Sequence, residues 1–229
     1  MKRALTIQNI MDKKYRTLEL TGAWAEAFGP MESSGVWFVW GRSGNGKTRF
    51  VMQLCKELTK FGRGLYVSLE EGSGLTFAKA LRETGMQEVG RRMLVTEPEY
   101  GDAEGLIADL AARMKRQRSP MFVVIDSFQY TGLTFRQYMQ LKHALRTKLV
   151  IFTSQADGSQ PVGRTAKSVM FDADEKIWVE GHIAFSKGRY IGPNGGGYTI
   201  WKEGAERYWG ESNQQTVIHL NNHQKLPKL

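Results

Sequence analysis

Gly41-Arg-Ser-Gly-Asn-Gly-Lys-Thr48 decides how the rest of the chain is read. The stretch fits G-x-x-x-x-G-K-[ST] in full, and each position has a physical task. Gly41, Gly44 and Gly46 allow backbone angles that turn successive N–H groups inward, and Arg42, Ser43 and Asn45 complete the cradle around a phosphate. Lys47 sets a cation against the terminal phosphates, and the Thr48 hydroxyl can ligate Mg²⁺. Just before the loop, Val36-Trp-Phe-Val-Trp40 is a continuous apolar run, the pattern of a strand buried on both faces. Just after it, Phe50, Val51, Leu54, Cys55 and Leu58 share one face of a helix expected over 47–60, whose positive N-terminus would point at the phosphates. Strand, glycine loop and helix in this order predict a bound nucleotide.

Outward from the loop, strand and helix alternate. Strands are expected at 65–69, 93–96, 121–125 and 149–153, and helices at 75–84, 103–117 and 134–147. Asp102 is placed to cap the helix over 103–117. After residue 153 the pattern changes. Ile177-Trp-Val179, Ile183-Ala-Phe185 and Tyr198-Thr-Ile-Trp201 read as short strands between glycine-rich turns, an antiparallel extension of the sheet. The expectation is an α/β fold, a mostly parallel sheet flanked by helices. Residues 1–30 are expected to be an arm and lead-in, 31–205 the domain and 206–229 a tail.

A phosphate loop binds nucleotide but needs further groups to hydrolyse it. Asp126 closes the apolar run 121–125, the Walker B arrangement that brings a carboxylate to the metal. Glu70 follows the strand over 65–69 and is the preferred base for an attacking water; Glu71 is the reserve. Gln155 ends the strand over 149–153, where it is either a contact to the terminal phosphate or a polar loop residue.

The composition bounds the rest. The chain has 229 residues, 41% of them hydrophobic, enough for one sizeable core. No run of about 18 apolar residues predicts a membrane span, and the first residues lack an apolar signal core, so a cytoplasmic protein is expected. Cys55 is the only cysteine, which excludes an intramolecular disulfide and cysteine-based zinc fingers. The net charge of +9 attracts polyanions and is one footprint of nucleic-acid binding.

These motifs in this order resemble the RecA-like P-loop ATPases: RecA and RadA recombinases, DnaB-type ring helicases and KaiC-like proteins. The resemblance covers roughly residues 30–202. It is carried by Gly41–Thr48, Leu65-Tyr-Val-Ser-Leu-Glu-Glu71, Phe122-Val-Val-Ile-Asp126, Ile151-Phe-Thr-Ser-Gln155 and Ser186-Lys-Gly-Arg-Tyr190. It implies a RecA-like P-loop core with ATP and Mg²⁺ as ligands. Lys47, Thr48 and Asp126 would hold phosphates and metal, Glu70 would activate water, and Gln155 would couple the γ-phosphate to the next loop. The strand over 149–153 would lie between the phosphate-loop strand and the Walker B strand. Lys187 and Arg189, by themselves surface charges on a hairpin, look like the Lys-x-Arg pair that reaches a neighbour's γ-phosphate, which implies a homo-oligomer, ring or filament.

The resemblance also implies that segment 156–168 contacts single-stranded DNA through Arg164 and Lys167; otherwise it is an ordinary loop. Phe128 and Tyr130, after Walker B, could stack on bases or pack inside. RecA carries a further C-terminal domain, and RadA and DnaB carry N-terminal modules. The chain therefore reads as a bare core, similar in size to short RecA-like proteins of phages and mobile elements. The expected function is an oligomeric ATPase acting on single-stranded DNA in recombination, annealing or replication. A DnaB-type helicase motor and a KaiC-like ATP-gated interaction switch without DNA are the alternatives.

Overall fold

A computed structural model describes residues 4–98 and 101–210. Of the expected tail over 206–229, residues 206–209 end the last helix, and the part beyond residue 210 lies outside the described residues. The chain begins with α1 (Ile7–Met11), β1 (Thr17–Leu18), α2 (Ala23–Phe28) and β2 (Met31–Glu32). Thr6 starts α1 with a reciprocal capping box to Asn9. β1 pairs antiparallel with β2. Leu18, Trp24, Ala27 and Phe28 are buried, and Trp24 stacks on Tyr198 with ring centroids 4.0 Å apart. The residues read as lead-in thus add a layer to the core, because their aromatic side chains find a partner far along the chain.

The central elements follow as β3 (Gly35–Gly41), α3 (Lys47–Leu58), β4 (Gly64–Ser68), α4 (Leu75–Glu83), β5 (Met93–Thr96), α5 (Ala103–Lys115), β6 (Phe122–Asp126), α6 (Phe135–Ala144) and β7 (Leu149–Asp157). Then come β8 (Gln160–Pro161), α7 (Arg164–Asp172), β9 (Glu175–Glu180), β10 (Ile183–Ser186), β11 (Gly197–Thr199) and α8 (Lys202–Trp209). Asp102 caps α5 by accepting from the Gly105 N–H at 2.8 Å.

Among the described residues the main sheet runs β11-β10-β9-β3-β7-β6-β4-β5, with β8 paired to the end of β7. The six strands from β9 to β5 are parallel. β7 lies between β3 and β6, the position expected for it. β3 explains its own apolar run. Trp37 and Val39 point to one layer with α2 and α3, while Val36, Phe38 and Trp40 point to the other with α5, α6 and α7.

Two features differ from expectation. β9, read as the first antiparallel strand, pairs parallel with β3, and the antiparallel extension begins only at β10. The cause is α7, which crosses over between β8 and β9 and lets the chain return in the same direction. The same helix takes the last part of the segment expected to be a loop at 156–168, and strand takes much of the rest. β7 runs on to Asp157, turns back through β8, and α7 starts at Arg164. No helix among the described residues is long and apolar enough to cross a membrane.

Candidate active site

β3, β4 and β6 end together at Gly41, Ser68 and Asp126, and loops at the carboxyl edge of parallel strands are where open α/β sheets bind ligands. The phosphate loop leaves β3 against β9: a Cβ on Gly41 would sit 2.2 Å from the Val179 carbonyl oxygen, so only glycine fits. Gly46, at φ 98°, turns the chain into α3 in a conformation that favours glycine. The turn between β9 and β10 buttresses the loop. Gly181 N–H donates to Asn45 Oδ1 at 2.7 Å, and His182 N–H donates to the Asn45 carbonyl at 3.2 Å.

Lys47 Nζ donates to the Arg42 carbonyl at 3.2 Å, across the loop. Burial lowers the Lys47 pKa; Asp126, then Glu70 and Glu71, act in the opposite direction by their charge. The four groups thus share one electrostatic neighbourhood. Asp126 is held by two hydroxyls. Tyr66 on β4 donates to Oδ2 and Thr153 on β7 donates to Oδ1. Burial raises its pKa, and these two hydrogen bonds and Lys47 work against that rise. The Asp126–Ser127 peptide bond is cis.

Glu70 and Glu71 part ways just past β4. The Asp126 carbonyl accepts from Leu69 N–H at 2.6 Å and Glu70 N–H at 3.3 Å, which fixes the start of the turn. Gln155 Nε2 donates to Glu70 Oε1 at 3.0 Å, whereas Glu71 Oε2 accepts from Thr76 Oγ1 at 3.4 Å, toward α4. Gln129, which carried no signal in the sequence, braces this side. Its Oε1 accepts from Gln155 N–H at 3.2 Å, and its Nε2 donates to Ser154 Oγ at 2.7 Å and the Val162 carbonyl at 3.1 Å. A continuous chain of hydrogen bonds therefore runs from Glu70 to the residues just before α7.

Arg164 and Lys167 are exposed on the first turns of α7, one helical step apart on the same side. Phe128 is buried against Phe38 and Phe152, so it packs inside; Tyr130 is exposed. Lys187 and Arg189 do not join the others. Lys187 N–H bonds to the Lys176 carbonyl, and Lys176 is in register with Phe38. Arg189 Nη1 lies 3.7 Å from Asp174, whose carboxylate accepts from Val36 N–H. Val36 is five residues before Gly41, about 17 Å along an extended strand. Within one chain the pair is remote from Lys47.

The residues fit a Mg²⁺-nucleotide. That ion binds hard oxygen donors, keeps several waters and takes only one or two protein carboxylates besides phosphates, which Thr48 and Asp126 can supply. No cluster of three metal-ligating side chains exists among the described residues, and this mode of binding requires none.

No family model matches the chain, and no curated protein sequence matches it. The resemblance to RecA-like ATPases therefore stands on the motifs and their order.

Proposed function

We propose that the chain is a Mg²⁺-dependent RecA-like ATPase of the cytoplasm that works as a homo-oligomer on single-stranded DNA. The observation that carries this reading is the convergence of Lys47, Asp126 and the Gln155–Glu70 pair at the carboxyl edge of the sheet. The loop backbone and Lys47 bind the phosphates, and Thr48 and Asp126 hold Mg²⁺, which when bound neutralises charge on the phosphate oxygens. Glu70 accepts the proton of the attacking water. Gln155 holds Glu70 and passes its position through Gln129 to the chain before Arg164 and Lys167, which bind DNA phosphates. Lys187 and Arg189 are too far to serve their own loop, so in this reading they complete a neighbour's site.

ATPase rate measured against protein concentration, with and without single-stranded DNA, tests the proposal. The expected result is a rate per subunit that rises with concentration and rises again with DNA. A rate per subunit independent of concentration down to dissociating conditions would sink the role of the neighbour. No response to a large excess of DNA would favour the ATP-gated switch instead.

A further inference from the structure

The other edge of the sheet carries a second feature that ATP hydrolysis does not use. Where β4, β5 and β6 begin, a cleft of about 190 Å³ opens. Arg63, Arg113, Arg116 and Arg118 line it, with Leu94 and Pro120 as apolar wall. Arg113 is neutralised by Asp109 at 2.7 Å. Arg63, Arg116 and Arg118 are exposed and have no carboxylate partner among the described residues. Arg116 follows the last turn of α5, where a cation offsets the helix dipole, but that effect is confined to the last turn and does not account for Arg63 or Arg118.

The turn that carries these charges is built firmly. Lys148, at the start of β7, reaches across and donates to Ser119 Oγ and the Pro120 carbonyl, both at 2.8 Å. Ser119 Oγ in turn donates to the Met114 carbonyl at 2.8 Å. Arg118 sits at φ 58°, a left-handed conformation that a non-glycine residue keeps only when its surroundings hold it there. The Arg63 carbonyl accepts from Met121 N–H at 2.7 Å, which joins the start of β4 to the same turn. Three exposed guanidinium groups beside one cleft, with no carboxylate partner among the described residues, make the cleft attractive to an anion.

We infer that this cleft binds a backbone phosphate of nucleic acid, a second contact on the opposite edge of the sheet from the ATP site. A cleft of this volume has room for a phosphodiester group. Guanidinium forks match phosphate oxygens in pairs, and Leu94, 47% exposed, offers an apolar rest for the adjoining sugar. From Phe122 to Asp126 the two edges lie about 13 Å apart, so a strand reaching both would wrap the sheet rather than cross one loop. The cleft needs neither ATP hydrolysis nor Arg164 and Lys167 to hold a phosphate, while nucleic acid as the source of that phosphate rests on the proposed action on single-stranded DNA.

The test is fluorescence-anisotropy binding of a labelled single-stranded oligonucleotide across a salt series. It compares wild type, the double variant Arg116→Gln/Arg118→Gln, the single variant Arg63→Gln and the separate double variant Arg164→Ala/Lys167→Ala. Arg63 lies in an exposed turn, so its variant keeps the question open to an answer if the turn at 116–120 proves sensitive. Loss of this phosphate contact should weaken binding severalfold at low salt and make the log–log salt slope shallower by about 0.7 for a single strand. Affinity for a fluorescent ATP analogue should be unchanged in the cleft variants. Wild-type affinity and slope in both cleft variants would overturn the inference, and would leave the proposed function standing if Arg164→Ala/Lys167→Ala loses DNA. Calorimetric binding of inorganic phosphate that the cleft variants abolish, with oligonucleotide binding intact, would also overturn it.

Discussion

Gln155 on β7 donates its amide N–H to the Glu70 carboxylate at 3.0 Å, so the strand at the centre of the sheet holds the carboxylate proposed as the base. Gln155 is itself fixed through its backbone by Gln129, which also binds the Val162 carbonyl. Glu70→Gln should keep the shape and lose the base. The expected result is a kcat at least about 100-fold lower with nucleotide affinity nearly unchanged, since general-base catalysis contributes about that much. Gln155→Ala should lower kcat less and should remove stimulation by DNA. Steady-state kinetics with and without oligonucleotide check both. If Glu71→Gln is the more damaging change, the assignment of the base is wrong.

The phosphate loop depends on a contact that its own motif does not contain. Asn45 takes two N–H groups of the turn between β9 and β10, and the buried Gly181 N–H has its side-chain oxygen as partner. Asn45→Ala leaves that donor unpaired at a cost of about 1–3 kcal/mol. A melting temperature lower by roughly 2–12 °C should follow for a chain of this size. Nucleotide affinity should fall with it, because the loop loses its brace. Thermal melts with and without Mg²⁺-ATP measure the two effects separately. An unchanged melt would show that the brace carries no energy.

Much of this arrangement was legible in the residues, for reasons that differ by element. The apolar run at 36–40 and the glycine pattern after it are local signals, and they placed β3 and α3 together. Asp126 was legible because it closes an unbroken apolar run, and Glu70 because it comes directly after a mostly apolar strand. Gln129, Tyr66 and Thr153 were not, because their roles depend on which strands become neighbours. Tyr66 reaches Asp126 only because β4 lies beside β6, and Thr153 only because β7 lies on its other side. The direction of β9 was missed for a related reason. Its residues fit either direction, and α7, which sets it, was hidden in a polar stretch that resembled a loop.

Asp126 offers a prediction with a definite sign. Burial raises its pKa, and the hydroxyls of Thr153 and Tyr66 act to lower it. Tyr66→Phe keeps the buried ring, which packs edge-on against Phe77, and removes one of those hydroxyls. The Asp126 carboxyl should then move further up. Mg²⁺ needs the ionised form, so the Mg²⁺ concentration giving half-maximal activity should rise more on going from pH 8 to pH 6 in the variant than in wild type. Magnesium titrations at the two pH values decide it. Parallel shifts in both proteins would mean that Tyr66 does not act on Asp126.

Glu175 gives the chain a pH dependence of stability. It is fully buried at the start of β9, where Ser186 Oγ donates to Oε1 at 2.7 Å and Tyr190 N–H donates to Oε2 at 3.3 Å. Burial pushes its pKa up to about 7 from an ordinary 4.5, with the two hydrogen bonds and the Lys176 charge pulling the other way. A raised folded-state pKa means that the folded chain holds a proton the unfolded chain releases. The contribution is complete below about pH 4.5 and is lost as pH rises through 7, a cost of about 3 kcal/mol above that point. Wild type should therefore lose stability to denaturant between pH 5 and pH 7.5 by roughly that amount, and Glu175→Gln should flatten the loss. Asp126 contributes in the same direction in both proteins, so the difference between them isolates Glu175. The segment it holds carries Lys187 and Arg189, so the ATPase of the assembled protein should fall over the same range in wild type and less in the variant. Equal slopes in the two denaturation series would show that Glu175 stays ionised in the folded chain.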